Sequence, residues 1–131
     1  MFTQFLGLLN LILARGDRWR DKGAEQRARV AAYLNAVSDC LTRISAALRE
    51  GNVPFSACSE LARYARDLPE SVREALGEEG EGLLSELRYA SGSRQLAVEL
   101  GGGAEEAKKH VASIEEAAGK VKAMAVSLAD A

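Results

Sequence analysis

An all-α fold is predicted from three features of this 131-residue chain. Ala, Leu, Glu and Arg abound, there are only two prolines, and aromatic residues make up 5% of the total; the abundant side chains lose little rotamer freedom in a helix. No stretch sustains the period-two alternation of β-branched residues that marks a half-buried strand. Long stretches instead place apolar residues at alternating spacings of three and four, which lines up one face of a helix. With 47% apolar and 27% charged residues, the chain has the composition and size of one globular domain. A chain of that length can bury roughly two-thirds of its unfolded surface without metal or disulfide staples.

Residues 2–14 read FTQFLGLLNLILA. Phe2, Phe5, Leu6, Leu8, Leu9, Leu11, Ile12 and Leu13 cover most of a helical wheel, while Thr3, Gly7 and Asn10 leave a narrow, uncharged polar strip. As a helix the segment is roughly 20 Å long against about 30 Å of bilayer hydrocarbon, too short for a conventional span. No positive region precedes it and no small-x-small cleavage pattern follows, so it does not read as a secretory signal. Residues 15–29 are strongly polar around a single large apolar side chain, Trp19. Gly16 and Gly23 each weaken a helix by roughly 1 kcal/mol relative to Ala, which allows a continuous helix with a soft joint or a short break at either glycine.

From Val30 the pattern is regular. Val30, Leu34, Val37, Leu41, Ile44 and Leu48 form one seam through Glu50; Gly51 suits the residue just past a helix end, Asn52 and Val53 turn the chain, and Pro54 stops continuation. Ser56 is placed to cap a second helix that buries Cys58, Leu61, Ala62, Ala65 and Leu68. Pro69 is tolerated near the first turn of a short piece from Glu70 to Leu76, capped by Asp67 or Leu68 and ended by Gly77. Residues 78–82 (EEGEG) read as a turn or a frayed helix start. A further helix is expected over 82–100 through Leu83, Leu87, Ala90, Ala97 and Leu100, weakened at Ser91-Gly92-Ser93, with Arg94 on its apolar stripe. Gly101-Gly102-Gly103 is a loop, and Ala107, Val111, Ile114, Ala118, Val121, Ala125 and Leu128 form the alanine-rich seam of the last helix. The expectation is one domain over 1–131, an up-down bundle of four to five helices, with an apolar and basic segment at 1–22 and a body at 24–129.

Catalytic chemistry finds little to use here. His110 is the sole histidine and has no Glu-x-x-His partner, so metal ligation is not expected. Cys40 and Cys58 lack C-x-x-C spacing and an adjacent histidine; two small, buried, inert thiols in a cytoplasmic protein are the simpler reading, with pairing left open. Ser56 and Ser59 are helix-start residues rather than nucleophiles. The glycines at 101–103 follow a helix and carry no G-K-[ST] ending, which argues against a phosphate cradle. The expectation is a protein that is not an enzyme and holds no cofactor.

The charges divide along the chain although the net is only −2. Arg15, Arg18, Arg20, Lys22, Arg27 and Arg29 outnumber Asp17, Asp21 and Glu25, whereas Glu70, Glu74, Glu78, Glu79, Glu81 and Glu86 face only Arg73. Nothing global points to nucleic acid. Two solvated helix faces are the plain explanation; a basic patch that meets anionic lipid or an acidic partner is the sharper one.

Three roles fit the N-terminal segment: burial within the chain, contact with a membrane, or an interface in a homo-oligomer or with another protein. Left in water, it would exceed the apolar patch that monomers tolerate. For membrane contact, Phe2, Phe5, Leu6, Leu9, Ile12, Leu13 and Trp19 are the candidate contact residues, with Arg15, Arg18, Arg20 and Lys22 at headgroup or partner level. No residue-level motif identifies a family. In element order and hydrophobicity the chain is similar in outline to helical-bundle domains of cell-death and immune effectors, whose N-terminal helix is released to perturb membranes. That resemblance implies a membrane-perturbing effector domain at the inner face of a membrane. The alternative is a protein–protein interaction module, an adaptor, inhibitor or partner subunit, that keeps the same helix in its core or in an oligomer interface.

Overall fold

The computed structural model describes the backbone of residues 2–52, 54–89 and 104–129; side chains at 2–5, 75, 83, 84, 86–89 and 104–108 lie outside the description. Six α-helices and no strand occupy the described residues: α1 (Phe2–Ala14), α2 (Gly16–Arg20), α3 (Ala24–Arg49), α4 (Phe55–Arg66), α5 (Glu70–Tyr89) and α6 (Ala104–Ala129). The fold is all-α, as composition and periodicity require. The expected count of four to five helices is corrected to six among the described residues, because Gly16–Arg20 forms a helix of its own between α1 and α3.

The two longest helices, α3 and α6, form the most extensive pair. Every residue of the predicted α3 seam is buried (Val30, Leu34, Val37, Leu41, Ile44 and Leu48), as are Val111, Ile114, Ala118, Val121, Ala125 and Leu128 of α6. The helices run antiparallel: Arg49 Nε donates to Glu115 at 2.8 Å near one end, and Lys122 Nζ donates to Asn35 Oδ1 at 2.9 Å near the other. Between them the buried Ser38 hydroxyl donates to the Ala118 carbonyl at 2.9 Å, so its polar group is satisfied across the interface. A small residue at 118 leaves room for that approach.

At the end of α3 the chain reverses through a glycine. Gly51, with φ of 77°, donates to the Leu48 carbonyl, and Asn52 donates to that of Ala47 at 2.9 Å; this Schellman pattern satisfies two orphan carbonyls and needs the left-handed backbone that glycine supplies. Val53 lies outside the described residues. Helix α4 begins at Phe55, one residue earlier than expected, and Ser56 sits inside its first turn with no capping bond from the residue before it. α4 then returns along α3. Arg43 pairs with Glu60 at 2.7 Å, and the Tyr33 hydroxyl donates to the Tyr64 carbonyl at 2.8 Å. The two tyrosine rings meet edge to face, 6.1 Å apart at 86°.

Helix α5 departs most from expectation. The first turn of α5 uses the Pro69 carbonyl as its first acceptor, with Arg73 N–H donating at 3.0 Å. The short piece ends at Gly77 as expected, where φ is 61° and ψ −149°, and of the two readings for the glutamate-rich residues 78–82 the helix start holds: helix resumes there and runs to Tyr89. Bidentate pairing of Arg73 with Glu81, at 2.6 and 3.2 Å, spans the bend and offsets part of the acidic repulsion. The expected weak point at Ser91-Gly92-Ser93, Arg94 and the glycine loop 101–103 lie outside the described residues.

Gly77 therefore carries a backbone state that is almost exclusively available to glycine. Gly77→Ala is expected to cost about 1–3 kcal/mol, whereas Gly23→Ala, at φ of −62° with open space around the new Cβ, should change stability by less than about 0.5 kcal/mol. Urea unfolding of the two variants, compared at equal slope, checks this.

Candidate functional site

The N-terminal helix and the short helix behind it are where unusual chemistry concentrates. Helix α1 lies against α5 and α6 with one face inward. Leu8, Leu9 and Ile12 are fully buried, Leu6 and Leu11 pack partly buried on the same core, and Leu13 is half-buried. Asn10 and Ala14 are exposed, which places one member of the predicted polar strip on the outer face. The side chains of Phe2 and Phe5 lie outside the described residues. The helix is therefore partly wrapped, not central.

At Arg15 the helix gives way. The Arg15 N–H is shared between the Leu11 and Ile12 carbonyls at 3.2 Å each, its backbone leaves the helical region (φ −99°, ψ 13°), and α2 begins at Gly16. Gly16 is buried with the Met124 thioether hard against it, so a Cβ there would force the Met124 methyl aside. Trp19 is fully buried, and its indole N–H donates to the Ser71 carbonyl of α5 at 3.3 Å. The expectation of Trp19 at headgroup level is not how the described arrangement places it: the ring fills the core where α2 meets α5 and α3, because burying so large an apolar surface outweighs leaving it at the rim.

The four candidate cations separate. Arg15 is half-buried and pairs with Glu79 of α5 at 3.3 Å. Arg20 donates to the Ser127 hydroxyl at 3.1 Å and lies 3.6 Å from Asp17. Arg18, Arg20 and Lys22 are exposed. Residues of this region are thus contacted by Ser71, Glu79, Met124 and Ser127; the sequence singled out Glu79 only as one of an acidic cluster, and the other three not at all. No local signal could have found them, since they lie between 52 and 108 residues away along the chain.

Two other groupings show what the molecule does elsewhere. On α5, Glu70, Arg73, Glu74, Gly77, Glu78 and Glu81 line an open cleft of about 640 Å³. On α4, hydrogen bonds from Tyr64 and Arg43 hold the Glu60 carboxyl below its usual range, and the same bond raises Tyr64. Ser56, Ser59, Glu60, Arg63 and Arg66 border a shallow hollow beside that network. Among the described residues no group of three or more His, Cys, Asp or Glu side chains is arranged to hold a metal ion, and no helix is long and apolar enough to cross a membrane.

Both thiols are buried and free of a disulfide. The Cys40 thiol donates to the Ala57 carbonyl at 3.0 Å. Burial raises Cys40 to about 11 and Cys58 to about 12, in the latter with help from the nearby Cys40. Thiolates are the reactive species, so both groups are inert at neutral pH.

Comparison with protein-family models, curated proteins and solved structures finds no match to this chain. Its reading rests on the residues themselves.

Because each thiol is held neutral in the fold, the stability that this confers is full below the unfolded-state value of roughly 8.5 and is lost as pH rises through about 11 and 12. The melting temperature should fall from about pH 8.5 upward; the double variant Cys40→Ala/Cys58→Ala should lose the part of the fall below about pH 10, above which the buried Tyr33 hydroxyl, also raised by burial, adds its own. At pH 7.5 a disulfide reagent should label neither thiol faster than the protein opens.

Proposed function

We propose that this protein is a non-enzymatic, up-down helical bundle whose N-terminal helix contacts a membrane after leaving its seat on α5 and α6. In its sharper form, the proposal is a membrane-perturbing effector domain of cell-death or defence type. The observation that carries it is one arrangement: the most apolar helix lies at the periphery of the body, joined through Arg15 and Gly16, with exposed Arg18, Arg20 and Lys22 directly behind it. Both α4 and α6 run antiparallel to α3, read from their cross-helix bonds, which supports the up-down description.

The energetics are compatible with a switch. Fully burying a Leu or Ile side chain is worth roughly 1.5–3 kcal/mol, so exposing Leu8, Leu9 and Ile12 together costs about 5–9 kcal/mol, as much as many whole domains are stable. Water cannot offset that loss. An acyl boundary can, because the same side chains become buried there. The cations contribute attraction of about 1 kcal/mol each near an anionic surface.

The complete burial of Leu8, Leu9, Ile12 and Trp19 favours a second reading. Here α1 stays in the core and the protein is an interaction module, an adaptor, inhibitor or partner subunit that binds another protein through its outer faces or assembles with itself.

Co-sedimentation of the full chain with neutral and anionic vesicles separates the two. The variant Arg18→Glu/Lys22→Glu changes two exposed side chains and leaves the Arg15–Glu79 and Arg20–Ser127 contacts in place. If the membrane proposal is right, the unaltered chain binds anionic vesicles and the double variant binds about 30-fold more weakly or not at all, as two lost attractions of about 1 kcal/mol imply. Equal binding by both, or no binding to either vesicle type by the unaltered chain, would sink it. A defined oligomer by light scattering would then support the second reading.

A further inference from the structure

We propose that α2 is a latch: Trp19, Arg15 and Gly16 lock the N-terminal helix onto the body, and α1 cannot leave until Trp19 withdraws. This deepens the membrane reading and, as a statement about release, rests on it.

Three observations converge on a five-residue helix. Trp19 is fully buried, the bulkiest side chain among the fully buried ones, and its N–H reaches Ser71 of α5. Arg15 reaches Glu79 on the same helix, two turns further along. Gly16 is pressed against Met124 of α6, and Arg20 reaches Ser127 of α6. α2 is thus fastened to the same two helices that seat α1, so it holds the near end of α1 in place. After α2 the bonds turn local: residues 21–23 are exposed, Lys22 is bonded to Trp19 and Arg27, and Gly23 has extended backbone with open space around it. A chain anchored at α3 can swing from Gly23 only if the indole leaves its socket.

The parts of the latch differ in kind. Trp19 is an apolar bolt insensitive to salt. The Arg15–Glu79 pair is partly exposed, with Glu79 72% accessible, so an anionic surface can compete for the arginine while a neutral one cannot. Arg20 can likewise exchange the Ser127 hydroxyl and its loose pairing with the exposed Asp17 for a phosphate without leaving a buried charge behind. Anionic headgroups therefore loosen the charged half of the latch at the moment they attract its neighbours Arg18 and Lys22.

Hydrogen exchange read by mass spectrometry on the full chain without lipid tests the latch apart from any membrane. Trp19→Phe shrinks the bolt and removes its N–H donor; α1 amides should exchange about tenfold faster or more, with α3 and α6 unchanged. Glu79→Arg should speed α1 about two- to fivefold, and the swapped pair Arg15→Glu/Glu79→Arg should restore protection. The proposal is overturned if α3 and α6 accelerate in step with α1, or if the swap restores nothing. Should Trp19→Phe fail to fold, the charge swap alone decides. Trp19 is the only tryptophan, so acrylamide quenching gives a second reading: anionic vesicles should raise quenching or shift emission, and neutral ones should leave both unchanged. Selective opening of α1 without any vesicle affinity would keep the latch and sink the membrane reading. Vesicle binding that leaves α1 protection and Trp19 emission unchanged would sink the latch.

Discussion

The antiparallel seam between α3 and α6 is the constraint on which the other helices depend. Each helix has 26 residues and buries an unbroken stripe, and small residues on α6 allow close approach. Close packing of this kind is worth more per residue than the intrinsic helix propensity of either segment. One polar bond inside it, from Ser38 to the Ala118 carbonyl, matters for register: sliding either helix by one turn would leave the Ser38 hydroxyl buried without that acceptor. With the pair fixed, α4 and its tyrosine network lie along α3, and α5 and α1 close the remaining side.

α1 is attached on terms different from those of the others. α3, α4 and α6 are tied by hydrogen bonds and ion pairs spread along their lengths. The described side chains of α1 contribute apolar burial, and the directional contacts given for the described residues of that region are at Arg15, Trp19 and Arg20. Apolar burial is strong but has no orientation of its own, so any dry environment of suitable shape serves it equally. Directional bonds decide where such a helix rests.

How much of this was legible in the sequence depends on the range of each interaction. The α3 and α6 seams were legible residue by residue, from Val30 to Leu48 and from Val111 to Leu128, because helical periodicity is a local property. The glycine at 51 was legible for the same reason. The acidic run at 78–82 was legible only as a choice between a turn and a helix start, since like charges and glycines weaken a helix in isolation; in the fold it is the start of the helix that resumes after Gly77, with Arg73 and Arg15 reaching Glu81 and Glu79. The burial of Trp19 was not legible, for a related reason. Surrounded in sequence by Arg18, Arg20, Asp17 and Asp21, it resembles a residue for a wet boundary, but a helix of five residues can turn one side chain inward while its neighbours point out. The residues that receive it, Ser71 and Met124 among them, are remote along the chain and carry no pattern that announces a socket.

That inward tryptophan also bears on the proposed release of α1, which would give the helix a second home at a membrane. Its aliphatic side chains gain similar free energy from the body of the protein and from an acyl boundary, so the large term nearly cancels between the two states. What remains is a small difference set by α2: the indole in its socket and the bond to Ser71 on one side, and the attraction of exposed cations for an anionic surface on the other. A difference of about 1.4 kcal/mol shifts such an equilibrium tenfold. On the proposed latch, a few contacts on a five-residue helix would therefore be enough to govern the position of thirteen apolar-rich residues that outweigh them many times over.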